Sequence, residues 1–168
     1  YAPLHALCRF LLEHTGPTHE HGERRMLPFL IHMPDLFELF VAEWLRAHLP
    51  SEFMLSAQER VVISDAEHLH FNIDLVLSDA STGRPMCVLD TKYKAKETPD
   101  PSDITQVIAY AEIKHCNSAL LIYPQPLSKP LDASFGKIRV RSVTFSLEGD
   151  LEEAGRLFLD SLISNQAA

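Results

Sequence analysis

Two short apolar runs that are interrupted by charges constrain this chain more than any other feature. The first run, Phe71–Leu77, contains Asp74, and the second, Met86–Lys94, contains Asp90 and Lys92. The segment between them is rich in Ser, Asp, Gly and Pro, which tolerate turn geometry, so the pattern predicts an antiparallel β-hairpin. Charges are rare inside strands and cost free energy when they are buried unpaired. The hairpin therefore predicts an acidic site.

Side-chain alternation along these strands predicts which residues share a face. One face of the first run would carry Phe71, Ile73, Leu75 and Leu77, while Asp74 would point to the other face. Asp90 and Lys92 are two residues apart and therefore share a face of the second run. If Asp74 lies on that same face, two carboxylates and one ammonium converge at the end of a sheet.

Two carboxylates and a lysine suggest metal-dependent chemistry. Carboxylate, phosphate and water oxygens suit Mg²⁺, which keeps several of its waters, and Mn²⁺ accepts similar oxygen ligands. Lys92 would lie beside the metal, where it could orient or help to deprotonate an attacking water and balance the charge of a phosphate. We therefore expect Asp74 and Asp90 to hold Mg²⁺, or Mn²⁺ in its place, for phosphodiester hydrolysis.

Composition limits how such a site could meet nucleic acid. The 168 residues predict a single domain, and 15 Lys and Arg against 23 Asp and Glu give a formal charge of −8. An acidic chain lacks a general electrostatic attraction to DNA, so basic contacts must be local or come from a partner. Two local groups exist, one with Arg84, Lys92, Lys94 and Lys96 and one with Lys137, Arg139 and Arg141. A solvated strand face is an equal alternative for the second group.

The cysteines and the apolar runs indicate the compartment. Cys8, Cys87 and Cys116 are scattered without a Cys-x-x-Cys pair, so neither a zinc or iron–sulfur site nor a disulfide framework is expected. No apolar run approaches membrane-spanning length and no signal peptide pattern is visible. These features predict a cytoplasmic protein. Because the chain begins with Tyr1 and not Met, we expect it to be part of a longer protein.

Helical spacing recurs in the N-terminal third. Apolar residues at helical spacing predict a helix over Pro3–His14, followed by a polar loop in which His19 and His21 could bind a metal, although surface imidazoles are commoner. A second apolar stripe begins after Met33. There Asp35 is a candidate N-cap, and Glu38 lies three residues later, where a capping-box carboxylate belongs.

The C-terminal half alternates helix and strand. After the hairpin, Asp100-Pro101 and the following acid Asp103 predict a helix start, and Gln106 and Tyr110 lie together on one flank of that helix at i, i+4 spacing. The apolar run Ala119–Tyr123 predicts a buried strand that returns parallel to its neighbour. A later strand over Lys137–Leu147 and a terminal helix from Leu151 complete the pattern. Helix, hairpin, crossover helix and strand predict an α/β fold with a restriction-endonuclease-like core, a central mixed β-sheet flanked by helices.

The hairpin also resembles a known signature. Asp74, fifteen intervening residues and then Asp90-Thr91-Lys92 are similar to the PD-(D/E)xK nuclease motif. Ile73 stands where that motif often has proline, which is not a ligand, so the chemistry is retained. Further segments resemble, in the same order, the nuclease half of the McrC family from McrBC modified-cytosine restriction systems: Met33–Glu38, Ile73–Leu77, Val88–Lys94, Gln106–Ala111 and Leu120–Pro124.

The resemblance implies roles for further residues. It places Glu38 at the metal site from the first core helix, against the capping alternative, and Gln106 at the site from the helix after the catalytic strand. For Gln106 and Tyr110 a plain polar helix flank is an equal alternative. Tyr110 and Lys94 are candidates for contact with substrate.

The resemblance also implies a function and partners. It predicts that residues 1–168 are a single PD-(D/E)xK nuclease domain, the C-terminal part of a longer chain. This domain would cut DNA in a modification-dependent restriction system, together with an AAA+ GTPase subunit. A double-strand break needs two active sites, so a homodimer could form on the substrate. Two alternatives are a degenerate nuclease fold that serves as a structural or interaction subunit, and a nuclease of the same fold in DNA repair or recombination.

Overall fold

A computed structural model describes residues 31–64, 69–94 and 97–164. The predicted helix at Pro3–His14 and the loop with His19 and His21 lie outside the described residues. Three helices and six strands follow in the order α1 (Met33–His48), β1 (Phe53–Ser64), β2 (Leu69–Asp79), β3 (Pro85–Thr91), α2 (Pro101–Lys114), β4 (Ser118–Tyr123), β5 (Asp132–Phe135), β6 (Ile138–Thr144) and α3 (Leu151–Ile163).

The strands form one mixed six-stranded sheet in the order β1-β2-β3-β4-β6-β5. The β1–β2 and β2–β3 pairs are antiparallel, as the hairpin predicted, whereas β3, β4 and β6 run parallel to one another. The short strand β5 closes one edge and pairs antiparallel with β6. The crossover from β3 through α2 to β4 requires a helix because parallel neighbours cannot be joined by a tight turn. The predicted α/β fold with a restriction-endonuclease-like core is confirmed.

Two apolar clusters cover the sheet. One contains side chains of α1 and α3 with alternate residues of the central strands, including Phe37, Leu89 and Phe158. The other contains side chains of α2 with the intervening strand residues, including Val88 and Val107. The central strands are therefore buried on both faces, which explains why β3 and β4 read as nearly continuous apolar runs. A charge at the end of such a strand enters a poorly solvated environment.

The alternation predicted for β2 breaks at Asp74. Ile73 belongs to the cluster with α2, whereas Leu75 belongs to the cluster with α1, so the prediction that both share one face is wrong. Opposite this point, Gln58 of β1 lies between Ala57 and Glu59, which pair with Leu75 and Ile73, and its backbone has φ 51°. This left-handed conformation departs from the extended path of a strand. The faces change along β1 as well, since Ala57 packs on the cluster with α1 and Val61 on the cluster with α2.

Two strand predictions differ from the structure in extent, and one strand was not predicted. The sequence favours two short β runs before the hairpin, at residues 53–58 and 60–63, but β1 is one strand of 12 residues that continues through polar Gln58. The strand expected over Lys137–Leu147 is shorter, at Ile138–Thr144. Strand β5 was not predicted, because its four residues are partly or fully exposed and carry no apolar pattern.

The C-terminal helix α3 packs closely on α1. A Cβ atom added at Gly155 would overlap the Trp44 indole ring, so glycine is required for this approach. The Asp150 side chain accepts hydrogen bonds from the backbone N of Glu152 and Glu153 and caps the helix. Among the described helices, none combines the length and apolarity needed to cross a membrane.

Candidate active site

Asp74 and Asp90 come together where β2 and β3 pair. Leu75 pairs with Leu89 in the antiparallel register, so Asp74 and Asp90 face each other one residue further along. Asp90 is the penultimate residue of β3 and is 1% exposed. Like charges at opposing positions of a sheet repel each other. The two carboxylates therefore lie close together, as predicted, and another group must offset the repulsion between their charges.

Thr91 fixes the position of Asp74. The backbone N of Thr91 donates a hydrogen bond to Asp74 Oδ2 at 2.9 Å, and the Thr91 hydroxyl donates to the same oxygen at 3.1 Å. Both donors belong to the central residue of the Asp90-Thr91-Lys92 segment. Asp74 Oδ1 takes no part in these two bonds.

Lys92 lies beside the carboxylates. Its Nζ is 2.6 Å from Asp90 Oδ2 and 3.8 Å from Asp103 Oδ1. The same ammonium donates a hydrogen bond to Gln106 Oε1 at 3.2 Å. Asp90 and Lys92 therefore share a face, as their spacing predicted, and the ammonium is held from β3 and from α2.

The charge of Asp90 is incompletely compensated. Burial and then the charge of Asp74 raise the Asp90 pKa to about 7, against the opposing effect of Lys92. Lys92 stands at ion-pair distance, yet neither Asp90 oxygen accepts a hydrogen bond of good geometry from the described residues. A buried carboxylate in this state favours either a proton or a cation.

Glu38 adds a third carboxyl group from α1. Burial and then the charge of Asp74 raise the pKa of Glu38, while a hydrogen bond from Gln58 lowers it. The interpretation of Asp35 as the N-cap is wrong, because α1 begins at Met33 and includes Asp35 in its first turn. Pro34 allows this earlier start, since proline fits the first turn of a helix. Because Asp35 is not the N-cap residue, the capping-box explanation of Glu38 no longer applies.

Gln106 connects Lys92 to Tyr110. Gln106 Nε2 donates to the Tyr110 hydroxyl at 2.6 Å, while its Oε1 accepts from Lys92. The predicted pairing of the two α2 residues is confirmed, and a plain polar flank would not reach Lys92. Tyr110 is 4% exposed and its ring packs edge-on against Phe71, so in this structure it supports Gln106 and offers little surface to a substrate.

Lys94 is held away from Asp74 and Asp90. Its Nζ donates to Asp100 Oδ2 at 3.0 Å and to Asp103 Oδ2 at 2.9 Å. Asp100 occupies the N-cap position of α2, at the helix start that the sequence predicts, but its side chain makes no capping hydrogen bond and binds Lys94 instead. The structure therefore assigns Lys94 to an ion-pair network at the start of α2.

The second basic group does not form a continuous exposed strip. Arg139 is paired with Asp132 at 2.7 Å, and Arg141 is buried. Arg139 and Arg141 are two residues apart and therefore lie on the same side of β6, but this does not determine whether each side chain is exposed. Within the first group, Arg84 is exposed and Lys96 lies outside the described residues.

Four residues around the site were not predicted from the sequence to take part in it. Asp103 is buried between Lys92 and Lys94, and Gln58 reaches Glu38 from β1. Thr91 binds Asp74, and the buried Tyr123 hydroxyl, near Asp103, has no hydrogen-bond partner among the described residues. For Asp103 a signal was present, because an acid near two lysines of the preceding strand end can pair with them. Gln58 carried none.

The family model of the McrBC 5-methylcytosine restriction system component matches residues 1–124. This chain belongs to that family. The match includes Glu38, Asp74, Asp90, Lys92 and Gln106, and it confirms the resemblance to McrC. A search of curated proteins found no match.

The donor set in this McrBC family member fits a hard divalent cation. Within the described residues, no group of three or more His, Cys, Asp or Glu side chains is close enough to hold a metal ion unaided. Mg²⁺ does not require such a cage, because one or two carboxylates suffice when waters and substrate phosphate supply the remaining oxygens. Asp90, buried without a hydrogen bond of good geometry, and the opposing Asp74 meet that requirement.

Proposed function

We propose that this chain is the metal-dependent endonuclease domain of a McrBC-type, modification-dependent restriction system. One observation carries the proposal. Asp74 and Asp90 oppose each other on neighbouring strands, with the Lys92 ammonium 2.6 Å from the buried carboxylate of Asp90. An acidic pair with an adjacent ammonium suits hydrolysis of a phosphodiester better than binding of DNA, because carboxylates alone repel phosphate.

Asp74 and Asp90 would hold Mg²⁺, with Glu38 assisting from α1. The bound ion would polarise the scissile phosphate and lower the pKa of a coordinated water. Burial raises the pKa of Asp90 and of Glu38, and repulsion from the charge of Asp74 raises both further. A divalent cation would relieve this repulsion, and binding would release the protons that the acids retain.

Lys92 would position the reacting groups. Its ammonium is anchored by Asp90, Gln106 and Asp103, so it has a defined location before substrate arrives. From there it could donate a hydrogen bond to the attacking water or to a phosphate oxygen and offset developing negative charge. Gln106, fixed by the Tyr110 hydroxyl, limits the movement of Lys92.

The charge of the chain favours a division of labour with a partner. With a formal charge of −8, the chain gains little from the long-range attraction that brings DNA-binding proteins to phosphate. An AAA+ GTPase subunit that recognises modified DNA would deliver the substrate. Two copies of the chain would be needed to cut both strands, so a homodimer on DNA is part of the proposal.

Cleavage of methylated and unmethylated plasmid with Mg²⁺ or Mn²⁺, with and without the GTPase subunit, tests this function. Wild-type chain should nick or linearise DNA only with metal, and Lys92→Met should reduce the rate by at least about 100-fold. Lys129→Met, which removes an exposed lysine, is the matched control. Undiminished metal-dependent cleavage by Lys92→Met would refute the assignment of Lys92. No cleavage under any condition would favour a degenerate, interaction-only subunit.

A further inference from the structure

A pocket of about 200 Å³ lies beside the candidate active site. It is lined by Tyr93, Lys94, Pro124, Gln125, Leu147 and Glu148. These residues form three pairs, and each pair follows the end of a strand. Strands β3, β4 and β6 end at Thr91, Tyr123 and Thr144.

The position of the pocket in the sheet is informative. Strands β3, β4 and β6 are parallel, so their carboxyl ends meet at one edge, where open α/β sheets commonly bind ligands. Asp90 and Lys92 lie at this same end of β3. The backbone N of Lys92 donates to Ile122 O at 2.8 Å, which fixes the segment that leads into the pocket against β4. If one part of a molecule bound at the acidic site, the adjacent part of the same molecule would therefore lie within reach of the pocket.

The walls of the pocket combine apolar area with hydrogen-bonding groups. Tyr93 is 37% exposed and Leu147 is 38% exposed, although both side chains are large and apolar. The Gln125 amide, 3.5 Å from Glu148 Oε1, supplies further donors and acceptors at the rim. Lys94 contributes its side chain while its ammonium is held by Asp100 and Asp103.

We propose that this pocket receives the base of a nucleotide adjacent to the scissile phosphate. This inference rests on the proposed nuclease function and deepens it. The volume is below the roughly 300 Å³ at which pockets for larger ligands begin, so one planar base fits better than a larger molecule. The Tyr93 ring provides a stacking surface, and the amide and carboxylate can bind the polar edge of an unstacked base. The negative charge of Glu148 disfavours a phosphate at that position.

The probe for this proposal is a pair of trinucleotides that differ only in whether the central sugar carries thymine or no base. Each is titrated into the ¹⁵N-labelled chain in Ca²⁺, and binding is followed by the amide signals of Tyr93, Gln125 and Glu148. One stacked base contributes about 1–3 kcal/mol, so the thymine trinucleotide should bind about 5- to 150-fold more tightly than the abasic one.

Two variants test the role of the tyrosine ring. Tyr93→Phe should retain the preference for the base, whereas Tyr93→Leu should lose most of it while preserving apolar contact with Phe37, whose ring centroid is 5.9 Å away. Gln125→Ala should reduce the preference by a smaller factor. Equal affinity of the wild-type chain for both trinucleotides would overturn the proposal, as would an unchanged preference in Tyr93→Leu.

Failure of this inference is distinguishable from failure of the nuclease function. Plasmid cleavage depends on Asp90 and Lys92, so metal-dependent cleavage without base preference would reject the pocket alone. Base preference without cleavage would support the pocket and reject the proposed nuclease activity.

Discussion

Thr91 donates two hydrogen bonds to one oxygen of Asp74, from its backbone N at 2.9 Å and from its hydroxyl at 3.1 Å. The residue between Asp90 and Lys92 thus holds the carboxylate that completes the acidic pair. Because the backbone N–H is independent of side-chain type, part of this anchoring is provided by the strand itself. Asp90 and Thr91 lie next to Asp74, with Lys92 beside Asp90, only because β2 and β3 form a hairpin in this register.

Asp90→Asn should stabilise the metal-free chain above neutral pH. The folded-state pKa of Asp90, about 7, exceeds the ordinary value of 3.8, so the folded protein keeps a proton that the unfolded chain releases. The resulting free-energy penalty is absent below about pH 4, grows as the pH rises and is complete above about pH 7. We expect asparagine to raise the free energy of unfolding by about 2 kcal/mol at pH 8, less than the shift alone implies because Lys92 loses its partner.

Urea unfolding at pH 4 and pH 8, without divalent metal, measures this effect. Asp132→Asn is a matched control, since Asp132 is exposed and paired with Arg139. It should give no comparable gain at pH 8. A lower stability of Asp90→Asn at pH 8 would mean that the Lys92 pairing outweighs the burial of the carboxylate.

Glu38→Gln should weaken metal binding. The charge of Asp74 raises the pKa of Glu38 and the charge of Lys92 lowers it, whereas Glu43 on the same helix is exposed and paired with Arg46. We expect at least about a tenfold loss of Mn²⁺ affinity for Glu38→Gln, of the size seen when groups that support metal ligands are removed. Glu43→Gln should change the affinity by less than about twofold. Equal affinities of the two variants would exclude Glu38 from the site.

Gln58 can be tested by comparing glycine with alanine. Both substitutions remove the amide that binds Glu38, but only glycine relieves the backbone strain at φ 51°. Gln58→Gly should therefore be more stable than Gln58→Ala by about 1 kcal/mol, while both weaken Mn²⁺ binding by the same factor. Thermal unfolding and calorimetry measure the two quantities. Equal stability of the variants would argue against strain at this position.

The hairpin, the crossover helix and the fold were predictable because each depends on local patterns. Alternating apolar residues, turn residues between two runs and a proline at a helix start specify elements that tertiary context seldom overrides. Asp74, Asp90 and Lys92 were identifiable for the same reason, as charges inside apolar runs. Gln106 was identifiable only as one of two equal alternatives, because the sequence does not show what lies opposite a helix flank.

Features that depend on contacts between distant segments escaped prediction. The reversal of faces at Asp74 lies opposite the left-handed Gln58 of the neighbouring strand, which alternation within β2 cannot reveal. The capping assignment of Asp35 failed because α1 starts three residues earlier than the cap requires. Arg141 was assigned to a strand face correctly, yet its burial follows from the packing around β6.

Gly155 illustrates the same limit, because helix propensity and packing predict opposite effects of substitution. In an isolated helix, Gly155→Ala would be favourable by about 1 kcal/mol. Here the added methyl group would overlap the Trp44 ring, so we expect a net loss of about 1–3 kcal/mol in the free energy of unfolding.

A double-mutant cycle with Trp44→Leu separates the two effects of the Gly155 substitution. In the Trp44→Leu background, the same Gly155→Ala change should be neutral or stabilising, since the overlapping ring is gone. Urea unfolding of the four chains provides the comparison. Destabilisation of equal size in both backgrounds would show that contact with Trp44 is not the cause.

A calorimetric titration of Mn²⁺ into the wild-type chain and into Asp90→Asn, at pH 8, tests the central claim most directly. The acidic pair of Asp74 and Asp90 predicts saturable binding by the wild-type chain and loss of that binding in the variant. The Asp132→Asn chain should bind like wild type. Equal binding by wild type and Asp90→Asn, or no binding by either when the titration is repeated with DNA present, would contradict a metal-dependent nuclease site at the end of β3.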